Sequence, residues 1–178
     1  EYFKFITSAV HRMRDQIAGL LDYSKVSRDA GQPELTDLNL NLESALASLN
    51  QAIQDQQAQI TRDELPTLAV FPAELGQVFQ NLVANALKFR GEATPIIHIG
   101  CEQTPTNWEI TVRDNGIGVS PEHVDRIFKL YQRLHTNDQY PGNGIGLALC
   151  RKIVEHHDGR IWLTPGEPGS VFHFTLLG

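Results

Sequence analysis

Apolar positions along the first 26 residues recur at alternating spacings of three and four. Phe3, Ile6, Val10, Met13, Ile17, Leu20 and Ser24 form a heptad seam on one uninterrupted helix running to about Val26. One helix cannot bury such a stripe alone, so the pattern asks for bundle partners that this sequence does not contain. Gly31 and Pro33 then interrupt the periodicity, and 29–36 reads as a linker between a partial helical domain at 1–28 and a second domain at 37–178. Leu42, Ala45, Leu46, Leu49 and Ile53 predict an amphipathic helix ending near Gln57. Short strands follow at Ile60–Arg62 and Thr67–Val70. Pro72 opens the next helix, Leu75, Val78, Phe79, Leu82, Val83, Ala86 and Leu87 form its apolar face, and Gly91 is expected to close it.

Ile96–Cys101 and Trp108–Arg113 read as two strands around a Thr-Pro-Thr-Asn turn. Ser120-Pro121-Glu122 signals a short helix to about Ile127, and a polar loop, His135–Gly142, precedes another helix. Arg160–Leu163 and Val171–Leu176 finish the chain as a hairpin. The expected architecture is an α/β two-layer sandwich: a mixed sheet with three main helices on one face, preceded by one long bundle helix.

Composition narrows the class. At 178 residues and 41% hydrophobic, the chain can bury one good core. A net charge of −6 argues against a nucleic-acid surface. No stretch of about 18 apolar residues occurs, so no membrane contact is expected of this chain. Cys101 and Cys150 lie in apolar surroundings without metal-ligand spacing, which suits buried thiols in a reducing, cytoplasmic setting. The chain opens inside a helix, as a piece of something longer would; whether the parent is membrane-anchored stays open.

Four clusters could carry chemistry. In Gly142-Asn143-Gly144-Ile145-Gly146-Leu147, three alternate glycines run into a helix whose amides and dipole face back toward the loop, a cradle suited to phosphate or a plain structural turn. It is neither a Rossmann fingerprint nor a P-loop. Asn81, Asn85 and Lys88 share one helix face, where amide oxygens could ligate Mg²⁺ and the lysine could meet phosphate; a solvated polar face is the plainer alternative. Asp114-Asn115-Gly116-Ile117-Gly118 follows a strand but no strand returns, so it is either a turn or a site where a carboxylate accepts an exocyclic amine. Arg133, behind Tyr131, could fork onto a terminal phosphate or simply be solvated.

Taken in order, the asparagine box, Asp-Asn-Gly-Ile-Gly, the Phe128–His135 segment and Gly-x-Gly-x-Gly resemble the catalytic ATP-binding domain of sensor histidine kinases, within the ATPase group that includes gyrase, Hsp90 and MutL. Residues 1–24 resemble the second helix of the dimerisation and histidine-phosphotransfer hairpin. That helix, with Arg133-Leu134-His135-Thr136 and Tyr140-Pro141-Gly142, is most similar to the phytochrome-type subgroup. The resemblance implies ATP or ADP and Mg²⁺ as cofactors, with Asn85 as the metal ligand and Asn81, Lys88 and Arg133 in the phosphate and catalytic roles. Asp114 would fix adenine, and Phe89, Gly116, Ile117, Gly118 and Tyr131 would surround the base. Gly142, Asn143, Gly144, Ile145, Gly146 and Leu147 would form the lid end over the phosphates, with 135–141 as the lid. Implied partners are a second copy, dimerising through the first helix, and a response regulator receiver domain.

Asn81 also separates subfamilies. Gyrase and Hsp90 relatives carry a water-activating glutamate there, and an amide cannot act as a general base. Transfer to an external nucleophile is therefore expected, with an ATPase or a degenerate nucleotide-binding scaffold as alternatives. None of the seven histidines has the family's acceptor context, His11 on the first helix included, so the acceptor is expected upstream. Two departures stand out: Asn143 replaces the usual Thr, and Phe71 replaces the Asp that usually caps the asparagine-box helix.

Overall fold

The computed structural model describes residues 2–26, 31–134, 140 and 142–178, and, within the first helix, the side chains of 7, 10, 13, 14 and those from 16 onward. The expected lid at 135–141 thus lies outside the described residues apart from Tyr140, as do the seam side chains Phe3 and Ile6, the His11 side chain and part of the linker.

Helix α1 (Tyr2–Lys25) carries the predicted stripe outward: Val10, Met13, Ile17 and Leu20 are all exposed. Its C-terminal end is held. Val26 is buried in the core, and Lys152 Nζ donates to the Tyr23 carbonyl at 2.7 Å while lying 4.5 Å from the Tyr23 ring centre. A cation is well placed there, against the carbonyl end of the helix dipole.

Strand β1 (Glu34–Asp37) falls where a linker was expected. It pairs antiparallel with β3 (Thr67–Val70), and the two form a separate small sheet. Asp37 ends β1 and caps helix α2 (Leu38–Ser48), its carboxylate accepting from the Asn39 amide at 2.8 Å. The predicted single helix to Gln57 is divided: α2 ends at Ser48 with Leu49 as its C-cap, and α3 (Asn50–Asp55) follows. Ser48 donates its hydroxyl to the Ala45 carbonyl, a local bond that competes with continuation of the helix.

The main sheet has the order β2-β4-β5-β7-β6, from β2 (Gln59–Arg62), β4 (Ile96–Gln103), β5 (Asn107–Asp114), β6 (Ile161–Pro165) and β7 (Ser170–Leu177). β2 runs parallel to β4, and every other pairing is antiparallel, so the sheet is mixed as expected. Alternation puts Ile97, Ile99, Ile110, Val112, Phe172 and Phe174 on one face, where α4 (Pro72–Lys88) and α5 (Gly146–His156) cover them, with α2 packed against α4.

Helix α4 is the hub. Leu75, Val78, Phe79, Leu82 and Val83 are fully buried, each contributing about 1.5–3 kcal/mol relative to exposure. Phe71 occupies its N-cap and makes no side-chain capping bond, as the loss of the usual Asp implied. The helix ends at Lys88 with Phe89 as C-cap, two residues before the glycine expected to close it. The short helix expected from Ser120 is a single 3-10 turn, Pro121–His123, continued by turns.

Candidate functional site: a nucleotide cleft between helices α4 and α5

A cleft of about 200 Å³ opens between α4, the end of β5 and the start of α5. Asn81, Asn85, Lys88 and Phe89 reach it from α4 and its cap; Asp114, Ile117 and Gly118 come from the β5 end; Arg133, Gly142, Asn143, Gly144, Gly146 and Leu147 come from the far rim. Four segments far apart in the chain are thereby brought to one place. Of the remaining expected residues, Gly116, Tyr131 and Ile145 do not line it. Ile145 is a core residue at 1% exposure, and Tyr131 is half exposed with a positive φ of 61°.

The floor is built on Asp114. As the last residue of β5 it is buried, and its carboxylate accepts from the Gly116 amide at 2.8 Å and from the Ser170 amide. Burial pushes its carboxyl above the usual range, and the two amide donors partly counter that. The loop that follows is stitched to the end of α4, the Ile117 amide donating to the Phe89 carbonyl at 3.0 Å. Gly116 lies directly against that carbonyl, where a Cβ would collide with it. So Gly116 shapes the floor without facing the cleft.

The rim is held by loop and side-chain bonds. Gly144, at φ +70°, gives its carbonyl to the Tyr131 amide at 2.9 Å, which ties the glycine run to the segment carrying Arg133. Asn143 Oδ1 accepts from the Ile145 amide at 3.1 Å and turns the chain into α5. Ile145, the N-cap, offers no side-chain acceptor to the first-turn amides, so α5 points its positive end at the cleft. Arg133 donates to the Tyr140 carbonyl at 2.8 Å, and the Tyr140 ring sits 5.0 Å from that of Phe89. Lys88 Nζ lies 4.5 Å from the centre of the Phe89 ring. Burial first, and then the Arg133 charge, lowers the Lys88 ammonium below its ordinary range. Two cations crowded at the end of a helix dipole make a site tuned for polyanions.

Asn81 is fixed differently. Its amide nitrogen donates to the Gln77 carbonyl at 2.9 Å, and its oxygen lies beside Gly146, where a Cβ would come within 2.9 Å of it. The structure adds lining residues not singled out from sequence: Val119, Ile127, Gln132, Leu134, Tyr140, Ser170 and Phe172. Ser170 and Phe172 are there because β7 pairs with β5, setting Ser170 opposite Asp114. That register joins residues 56 positions apart (170 minus 114), and no local pattern in the sequence signals it.

An acidic floor in an apolar slot, facing a cationic, helix-capped rim, defines a nucleotide-binding α/β sandwich. The family described as histidine kinase-, DNA gyrase B-, and HSP90-like ATPase matches residues 71–177, and the chain belongs to it. It therefore carries a nucleotide-binding catalytic domain of the histidine-kinase type. Cyanobacterial phytochrome A of Nostoc sp. (strain PCC 7120) is 48% identical over 178 residues, 99% of this chain and 23% of that protein. Phytochrome-like protein Cph1 of Synechocystis sp. (strain PCC 6803) is 42% identical over 99% of this chain and 24% of its own length. The chain thus spans about a quarter of these relatives. The catalytic domain of histidine kinase ThkA superposes with a TM-score of 0.70 at 28% identity, over 81% of this chain and 95% of that one. ThkA in complex with the response regulator protein TrrA gives 0.75 at 25% identity, over 99% of this chain and 50% of the other.

Proposed function

We propose that this chain is the ATP-binding catalytic domain of a two-component sensor histidine kinase (37–178), joined through 29–36 to one helix of its dimerisation domain (1–28). In the intact protein it transfers the γ-phosphoryl of Mg·ATP to a histidine outside this chain. The observation that carries the reading is the pairing of a buried carboxylate, Asp114, with an amide, Asn81, across one cleft. Asp114 accepts the adenine amine. Asn81, its nitrogen committed to the Gln77 carbonyl, has no group able to take a proton from water. The cleft thus holds ATP without activating hydrolysis, and the phosphoryl group waits for an external nucleophile.

Asn85, supported by Asn81, offers a neutral amide oxygen at the cleft, a donor that fits Mg²⁺, and would hold the ion together with the nucleotide. When bound, the ion would supply neutralisation of phosphate charge. Lys88 and Arg133 hold the phosphate oxygens, and the amides at the start of α5 close over them. Catalysis is mostly positioning and charge neutralisation. The exposed seam of α1 suits pairing with a second copy, and a receiver domain is the acceptor downstream, as ThkA assembles with TrrA. The setting is cytoplasmic.

Calorimetric titration of ADP and of a non-hydrolysable ATP analogue, with and without Mg²⁺, tests the reading. Saturable binding strengthened by Mg²⁺ is expected, with no sustained phosphate release from ATP. Steady Mg²⁺-dependent release abolished by Asn81→Ala would instead establish an ATPase.

A further inference from the structure

Away from the cleft, the N-terminus of α4 meets the C-terminus of α5 in a cluster that nucleotide binding does not use. Glu74 lies in the first turn of α4, His156 is the last residue of α5, and His157 is its C-cap. One ligand atom from each, a carboxylate oxygen and two imidazole nitrogens, lies within 4.8 Å of the other two. Glu74 Oε2 is 2.8 Å from His156 Nδ1. His157 Nδ1 is 2.8 Å from the Ile153 carbonyl, which must accept a proton, so Nε2 carries the lone pair. That lone pair accepts from the Phe71 amide at 3.1 Å. Phe71 stacks on the His156 ring at 4.6 Å and 8°, and meets His157 edge-on at 5.3 Å.

We propose that Glu74, His156 and His157 form a binding site for a divalent transition-metal ion of the zinc class, joining α4 to α5. Two nitrogens and one carboxylate oxygen, with a fourth position open to water, are the donor set such ions take. His157 has the required outer shell: its far nitrogen is already anchored to a backbone carbonyl, which fixes the tautomer that exposes Nε2. The Phe71 ring fixes the plane of His156. Ligand atoms on one tetrahedral zinc stand roughly 3.3 Å apart, so the three atoms need only small shifts to close on it. On binding, the metal replaces the Phe71 amide proton at His157 Nε2 and displaces any proton shared between His156 and Glu74. None of the three residues lines the nucleotide cleft, so the site is separate from any Mg²⁺ that arrives with ATP.

Zinc titration of the whole chain at neutral pH, without nucleotide, tests the proposal. One equivalent should bind saturably and raise the thermal midpoint. Glu74→Gln and His156→Ala should each weaken uptake at least about 10-fold. His98→Ala, which alters the separate His98–Asp63 pair on the open face of the sheet, should leave it unchanged. Zinc should also shift the nitrogen resonances of His156 and His157 but not of His98. ADP titration of each variant verifies the fold. A chain that binds ADP but takes up no zinc saturably, or takes it up equally well in both variants, overturns the metal site and leaves the kinase reading standing.

Discussion

At the floor of the cleft, Asp114 sits at the end of a central strand, with its carboxylate bonded to two backbone amides and β7 paired alongside. At the rim, the glycines 142–146 are tied by loop bonds that include the Tyr131 amide on the Gly144 carbonyl and the Ile145 amide on Asn143 Oδ1. The floor is continuous with the core, so the same contacts hold the fold and the ligand site. The rim meets the core at Leu134, Ile145 and the helix behind them. Damage at the floor should therefore appear in stability as well as binding, and damage at the rim in binding alone.

The largest effect on binding is expected at Asp114. Asp114→Ala removes the proposed adenine acceptor and should weaken ADP on the order of 100-fold, near 3 kcal/mol, a loss of the size expected for a buried charged hydrogen bond. Far-UV circular dichroism should stay unchanged. Undiminished affinity would remove Asp114 from the base pocket. The largest effect on stability is expected at Gly169, whose φ is +89° and whose Cβ would strike the Asp114 carbonyl. Gly169→Ala should cost about 3 kcal/mol in chemical denaturation, since backbone cannot yield as a side-chain tip can. A neutral result would show that the floor is looser than its contacts imply.

The cationic rim should respond next. Lys88→Ala and Arg133→Ala should each weaken the ATP analogue about 10-fold, with less effect on ADP and smaller losses at high salt. The pH dependence has a definite sign at both ends of the cleft. Lys88 has a folded pKa below 10.5, so the unfolded chain binds more protons between the two values, and its contribution to stability rises with pH across that window. For Asp114 the folded pKa lies above 3.8, so the folded chain holds more protons, and stability falls as pH rises from 3.8 through the folded value. ADP binding should run the other way at Asp114, because the proposed adenine contact needs the carboxylate. Affinity should drop on acidification before ordinary carboxylates titrate, and measured ADP affinity against pH checks this.

The two regions also differ in how far sequence reveals them. Asp114, Asn85 and the three rim glycines were legible because each sits in a local pattern: a strand end, a helix face, a glycine alternation. The main helices and strands were legible for the same reason, since their apolar periods are long and clean. β1 was not, because Glu34–Asp37 is four residues, none of them buried, and stabilised by β3 at least 30 positions away. The break at Leu49 and the reduced helix after Ser120 turn on single local hydrogen bonds that periodicity does not encode. Ser170 and Phe172 escaped notice because only sheet register carries them to the floor. Tyr131 shows the converse: its neighbour Gln132 lines the cleft, while its own positive φ turns it to solvent.

Gly146→Ala gives the smallest expected effect and separates the regions most sharply. Gly146 is the first residue of α5 and has no positive φ, so alanine suits its backbone and should favour the helix by up to about 1 kcal/mol. The new Cβ would stand 2.9 Å from Asn81 Oδ1, the tip of a side chain that can rotate. Rotation breaks the bond from Asn81 to the Gln77 carbonyl and turns its oxygen away from the phosphate end of the cleft. Stability should therefore hold or rise slightly, while the strengthening of nucleotide binding by Mg²⁺ falls a few-fold. Calorimetry with and without Mg²⁺, alongside thermal unfolding, reads both quantities in one preparation. A large loss of stability would mean that the rim is built into the core after all, and an unchanged Mg²⁺ effect would release Asn81 from the metal and phosphate site.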